Sequence, residues 1–141
     1  MKRVISLLVL ISILFALSSC YYNLTDKSDI FSLYQKNKEI FLSAAENGDY
    51  SEVEKIKGVQ KVRIWDTYID IQCGGTGLGS DTNYYGIFYY TNDNLCEIDV
   101  SGQRIEPIEQ GNGYLYQEEN GDNRYYIEPL GNNFYYYEAH V

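Results

Sequence analysis

The sequence predicts an α+β fold: an N-terminal helix, with a short second helix, packed on one face of an antiparallel, meander-rich sheet of six or seven strands. Three observations carry this. Apolar residues recur every three or four positions between residues 30 and 47, and the period switches to two from Val59 onward. The C-terminal stretch contains a repeat: 114–123 (YLYQEENGDN), 124–133 (RYYIEPLGNN) and 134–141 (FYYYEAHV) superpose without gaps at a ten-residue period. Finally, 16 tyrosines in 141 residues is a strong excess of a residue that favours strands.

The chain opens with a basic pair, Lys2 and Arg3, then an apolar run from Val4 to Leu17 broken only by Ser6 and Ser12. Small residues follow, in the pattern of a secretory signal. The run is too short for the roughly 20 residues of a spanning helix. Leu17-Ser18-Ser19-Cys20 resembles the lipobox of bacterial lipoproteins. That resemblance implies cleavage before Cys20 and a thioether-linked diacylglycerol on it, and two acyl chains anchor stably where one does not. Residue 21 is Tyr, not the Asp that would favour inner-membrane retention in a two-membrane host. The expected organisation is a lipoprotein signal peptide (1–19), a lipidated N-terminus and tether (20–29) and a single α+β domain (30–141). Nine extended tether residues would reach about 30 Å at most.

Cleavage would leave 122 of the 141 residues, enough for one core. Removing Lys2 and Arg3 from the chain's 11 basic residues leaves 9 against 20 acidic ones, a net charge of −11. Such a surface is repelled by phosphate backbones and anionic headgroups, which argues against nucleic acid as a partner.

Within the domain, Ile30, Leu33, Tyr34, Asn37, Phe41, Ala44 and Ala45 fall on one helical stripe, capped by Ser28 or Asp29 and ended by Gly48. Ser51-Glu52-Val53-Glu54 has the form of a capping box for the short second helix. Next comes a hairpin about a two-residue turn at Asp66-Thr67, with Ile64 opposite Ile69 and Val62 opposite Ile71. Its aliphatic face, including Ile64 and Ile71, is expected to be core, and its other face carries Arg63, Trp65, Tyr68 and Asp70. Residues 74–83 read as a glycine-rich loop. Strands follow at 84–90, 95–100 and, more weakly and interrupted by Pro107, at a sheet edge over 104–109. In the repeat, Tyr116, Tyr126 and Tyr136 share one phase, and Glu118, Glu128 and Glu138 another. Strand plus Gly/Asn turn at that spacing is a β-meander.

Cys73-Gly74-Gly75, the run YYGIFYY at 84–90, Glu119-Asn120-Gly121-Asp122-Asn123 and Tyr135-Tyr136-Tyr137-Glu138-Ala139 together resemble uncharacterised small lipoproteins of anaerobic Gram-positive bacteria. The resemblance covers residues 59–141 and the signal peptide. Arg124 departs from it, standing where an aromatic residue is usual. It implies lipid anchoring at a plasma membrane and assigns no site residues.

Few constellations point to chemistry. Gly75-Thr76-Gly77-Leu78-Gly79 matches neither phosphate-binding glycine pattern. Cys73 and Cys96 both fall on apolar faces; a disulfide is one reading and two buried thiols the other. One His and no CxxC argue against zinc. His140 has no recognisable nucleophile setting nearby. Glu118, Glu128 and Glu138 could suggest paired carboxylates, but polar strand positions near turns are ordinarily solvated. The Asn92-Asp93-Asn94 and 120–123 runs read as hairpin turns rather than calcium loops. No catalytic residue, metal or cofactor is expected.

The tyrosines are the informative feature. Tyr84-Tyr85, Tyr89-Tyr90, Tyr125-Tyr126 and Tyr135-Tyr136-Tyr137 are consecutive, so strands must carry Tyr on both faces. Helices cover one; the other keeps a tyrosine field near Trp65. Taking Gly121-Asp122 and Gly131-Asn132 as two-residue loops places Tyr126, Tyr135 and Tyr137 outward, with Tyr114, Tyr116, Tyr125, Ile127, Phe134 and Tyr136 in the core. The expected function is a membrane-anchored, extracytoplasmic, non-enzymatic lipoprotein. It would bind an envelope protein, as inhibitor or assistant, through Tyr126, Tyr135, Tyr137, Trp65 and Tyr68. Cell-wall glycan binding is the alternative, and a hydrolase the third reading. Against all three stands cross-strand aromatic pairing with no ligand.

Overall fold

A computed structural model describes residues 22–79, 81–91, 99–100 and 103–141, with only the backbone of 99–100 and 103–104. The signal peptide, Cys20, Cys96, the turn at 92–94 and most of the strand expected at 95–100 lie outside the described residues. Two helices, α1 (Lys27–Lys36) and α2 (Lys38–Asn47), and a 3₁₀ turn (Val53–Lys55) precede the strands. These are β1 (Lys61–Ile64), β2 (Tyr68–Leu78), β3 (Asp81–Tyr90), β4 (Asp99–Val100), β5 (Gln103–Arg104), β6 (Ile108–Gln110), β7 (Gly113–Gln117), β8 (Arg124–Gly131) and β9 (Phe134–His140). Seven form one sheet in the order β1-β2-β3-β9-β8-β7-β6, every neighbouring pair antiparallel, while β4 and β5 pair as a separate ribbon. The α+β class, with its helices N-terminal to the sheet, is as the sequence predicts.

The single expected helix is two. Asn37 turns its side-chain amide back onto the Leu33 carbonyl at 2.8 Å and leaves helical geometry at φ −115°, ψ 18°. A short polar side chain that bonds its own backbone competes with the helix in this way. Asp26, not Ser28 or Asp29, caps α1, its carboxylate accepting from the Ser28 N–H at 2.8 Å. Gly48 ends α2 in the left-handed region, as expected. The second helix shrinks to the 3₁₀ turn.

One face of the sheet packs on the helices. Ile30, Leu33, Tyr34, Phe41 and Ala44 meet Ile69, Ile71, Cys73, Ile87, Phe134 and Tyr136, with Tyr50, Val53 and Ile56 closing one side. Tyr34, Phe41 and Phe134 form a triangle of rings 5.3–5.6 Å apart that ties both helices to β9. A buried polar clamp adds to it. Glu128 accepts from Lys27 Nζ of α1 at 2.8 Å and from the Tyr126 hydroxyl at 2.7 Å. Burial alone would raise the Glu128 carboxyl; Lys27 and Tyr126 outweigh it and hold the group below its ordinary value.

The hairpin register is as predicted, Val62 opposite Ile71 and Ile64 opposite Ile69. One burial expectation fails: Ile71 is fully buried, whereas Ile64 is 66% exposed. Ile64 ends an edge strand beyond the reach of the helices.

The glycine-rich segment is strand rather than loop, with Gly74, Gly75, Gly77 and Leu78 paired to Tyr85, Tyr84, Thr82 and Asp81. Gly74 is needed for close approach: a Cβ there would stand 2.1 Å from the Leu24 carbonyl oxygen. Residues 22–24 lie against this strand, so the expected free tether is partly docked.

The last two turns also differ. The β7–β8 loop spans 119–122, closed by Glu118 N–H to the Asn123 carbonyl at 3.0 Å, rather than Gly121-Asp122 alone. That moves the register by two residues and leaves the faces unchanged. The β8–β9 turn is Asn132-Asn133, both at positive φ (53° and 63°), which suits a two-residue hairpin. Displacement of that turn by one residue would also preserve the faces. The bulge between Pro129 and Gly131 adds the odd residue that exchanges them. Tyr136 therefore joins Tyr126 and Glu128 on the helix side, and Tyr135 and Tyr137 join Tyr125 and Ile127 on the other.

Ile71→Ala should cost about 2–5 kcal/mol in urea unfolding, as a cavity opens under the helices. Ile64→Ala should change stability by less than about 0.5 kcal/mol. Equal losses at both positions would contradict this packing.

Candidate functional site

The face away from the helices carries a second aromatic cluster: Phe88, Tyr90, Tyr116, Ile127, Tyr137 and Ala139, with Tyr68, Tyr84, Ile105, Tyr114, Tyr125 and Tyr135 partly buried against it. A concave cavity of about 400 Å³ opens in this cluster. It lies within the size range of small-molecule and side-chain pockets.

Each wall follows from strand alternation. β1 and the following turn supply Arg63, Trp65 and Thr67; β2 supplies Tyr68 and Asp70. Tyr84, Phe88 and Tyr90 come from β3, Tyr125 from β8, and Tyr137 and Ala139 from β9. Trp65 is 52% exposed at the rim and stacks on Tyr68, centroids 6.1 Å apart and planes 23° from parallel. Tyr68 stands edge-on to Phe88 at 5.4 Å. Phe88 stacks on Tyr137 at 4.0 Å. Tyr137 crosses Gly86 on β3, where a Cβ would fall 2.9 Å from its ring, so the glycine lets the ring lie flat on the strand.

Arg63 and Asp70, which line the same cavity, form an ion pair. Asp70, 9% exposed, accepts from Arg63 Nη1 at 2.6 Å through one oxygen and from the Tyr137 hydroxyl at 2.8 Å through the other. Arg63 Nη2 continues to Gln72 Oε1 at 2.8 Å. Both carboxylate oxygens are thus occupied within the protein. Burial, with the Asp70 charge adding to it, pushes the Tyr137, Tyr68 and Tyr125 hydroxyls above the ordinary tyrosine value. Tyr90 is raised too, by burial and its tyrosine neighbours. These phenols keep their protons at neutral pH. The cavity offers flat apolar ring faces with neutral hydroxyls at their tips, a combination suited to recognition.

Of the five residues expected to bind a partner, Trp65, Tyr68 and Tyr137 line this cavity. Tyr135 lies on the same face, its ring 5.7 Å from Tyr90. Tyr126 does not join them. It lines a shallower, more polar depression of about 570 Å³ on the helix side, with Arg124, Glu138 and His140. The expectation that Tyr126, Tyr135 and Tyr137 form one outward patch is therefore corrected by the β8 bulge, and Tyr137 is nearly fully buried. Among the residues expected in the core, Tyr116 and Ile127 are buried in the aromatic cluster, and Phe134 and Tyr136 under the helices.

The remaining candidates are placed as follows. Cys73 is a buried thiol that burial, then Asp70, pushes up to about 12. Glu128 belongs to the helix clamp, and Glu138 accepts from the Tyr136 hydroxyl at 2.7 Å. His140 meets Asn83 at 3.0 Å beside the terminal pairing of Val141 with Thr82. Among the described residues, no three His, Cys, Asp or Glu gather as a metal site. Tyr84, Phe88, Tyr90 and Tyr125 are the aromatic lining residues that sequence reasoning missed. Their alternation set Tyr84, Phe88 and Tyr90 on one face, but which face depends on strand order.

Comparison with protein-family models, with curated proteins and with solved structures finds no match for this chain.

Tyr137→Phe should cost about 1–3 kcal/mol in urea unfolding, because it leaves one buried oxygen of Asp70 without its donor. A loss under about 0.5 kcal/mol would mean that water replaces the hydroxyl and that the cavity floor is wet.

Proposed function

We propose that this chain is a membrane-anchored extracytoplasmic lipoprotein, a non-enzymatic module that binds a protein of the cell envelope through its aromatic cavity. The observation that carries the binding reading is the Trp65–Tyr68 stack at the rim of a concave aromatic face on the side the helices leave open. Aromatic anchors seated in or around a pocket dominate the energy of protein interfaces. The engagement of Asp70 by Arg63 and Tyr137 supports a binding rather than a catalytic use. Anchoring rests on the lipobox-like sequence ending at Cys20. The acidic balance of the mature chain favours a partner with a basic or neutral surface.

A second reading, cell-wall glycan binding, is favoured by one specific feature. The near-parallel Trp65 and Tyr68 rings present flat faces of the kind on which sugar rings stack.

Cys20→Ser should abolish acyl labelling and, where the signal is still cleaved, release the chain from membranes. In the acylated protein, Trp65→Ala with Tyr68→Ala should keep membrane retention but weaken partner capture by crosslinking in intact cells. Truncating a hot-spot aromatic costs about 2 kcal/mol or more, roughly thirtyfold in affinity. Capture at full strength by the double variant would sink the binding reading. Loss of binding to wall-glycan fragments, with protein capture unchanged, would favour the second reading.

A further inference from the structure

The segment between the anchor and α1 is pinned to the sheet. Leu24 N–H donates to the Cys73 carbonyl at 3.1 Å. The Asn23 side chain brackets Gly75, accepting from its N–H at 2.8 Å and donating to its carbonyl at 3.0 Å. Gln60 Nε2 donates to the Tyr22 carbonyl at 2.9 Å, and Lys57 Nζ sits 4.3 Å from the centre of the Tyr22 ring. Two residue steps separate Tyr22 from Cys20, a reach of about 7 Å. Whatever holds Cys20 therefore holds this end of the sheet close.

The β2–β3 hairpin ends at the same place. From Gly75, β2 runs on three residues, about 10 Å, to Leu78. Leu78 is 93% exposed, the most exposed of the large hydrophobic residues described. A solitary exposed leucine ordinarily needs no explanation. This one projects from a tight hairpin beside the point where the chain leaves for its anchor.

We propose that the β2–β3 hairpin tip rests in the headgroup layer of the bilayer that holds the Cys20 acyl chains, with Leu78 inserted. The inference rests on the lipid anchoring proposed above and adds an orientation to it. Tyr22 and Lys57 lie at the depth where aromatic and cationic side chains settle at a membrane surface. The strands then run away from the membrane. Tyr68 lies ten residues along β2 from Leu78, about 30 Å away. The Trp65–Tyr68 rim faces away from the lipid, toward the space where an envelope partner would be met.

Trp65 is the chain's single tryptophan, which makes the test direct. The chain as matured by a lipoprotein-processing host is reconstituted in phosphatidylcholine vesicles with and without bromine on the acyl chains. The protein carrying Leu78→Trp and Trp65→Phe should show blue-shifted emission that the bromines quench. The unaltered protein, reporting from Trp65, should keep its intensity. Vesicle-bound Leu78→Trp protein with unquenched emission would overturn the inference and leave the anchoring intact. Equal quenching at both positions would mean that the domain lies flat, and would overturn the orientation. Chain that is not acylated and stays in the aqueous phase would overturn the anchoring reading, and this inference with it.

Discussion

Neighbouring side chains on a strand cannot share a face. In this chain, β3, β8 and β9 all contain adjacent tyrosines, and most of the architecture follows. A sheet so written is aromatic on both sides. The two helices bury one side, where Tyr34, Phe41 and Phe134 lock together. The other side has to manage its own aromatic surface. It does so by packing rings on one another, Phe88 on Tyr137 and Tyr68 against Phe88 and Tyr90, and by leaving a concavity among them.

Among the described residues, each face also buries one carboxylate, and each accepts from a cation and a tyrosine hydroxyl. Glu128 takes Lys27 and Tyr126 on the helix side; Asp70 takes Arg63 and Tyr137 on the open side. A buried charge is tolerated when paired and hydrogen-bonded, and removing one partner is costly. The two clamps differ in what they join. Lys27–Glu128 fastens a helix to the sheet. Arg63–Asp70–Tyr137 links β1, β2 and β9 beside the aromatic cavity and holds the Tyr137 ring in place. Rigid rings lose little freedom on binding, which is why preorganised aromatic sites bind well.

How much of this could be read from the sequence depended on whether local rules decided the outcome. The β1–β2 register was legible because a two-residue turn at Asp66-Thr67 sits between alternating runs, and that placed Arg63, Trp65, Tyr68 and Asp70 together on what proves to be the cavity side. The helical stripe was legible from its period, but the break at Asn37 depends on how one side chain bonds its backbone. Gly74 and Gly75 read as loop because glycine is a poor strand former. Their reason for being in β2 is tertiary: the segment at 22–24 passes too close for a Cβ at Gly74. The face of Tyr135, Tyr136 and Tyr137 turned on one bulged residue in β8, which no pattern in the sequence announces. The pairing of β3 with β9, which brings Tyr84, Phe88 and Tyr90 beside Tyr137, is a long-range choice that alternation alone cannot make.

The face left open by the helices is proposed as the one that meets a partner. A photoreactive phenylalanine analogue placed at Tyr68, and separately at Ile40 on the helix layer, would test it in living cells. A discrete crosslinked species is expected from position 68 and none from position 40. Crosslinks from position 40 with none from position 68 would contradict it, and would assign the aromatic cavity to stability alone.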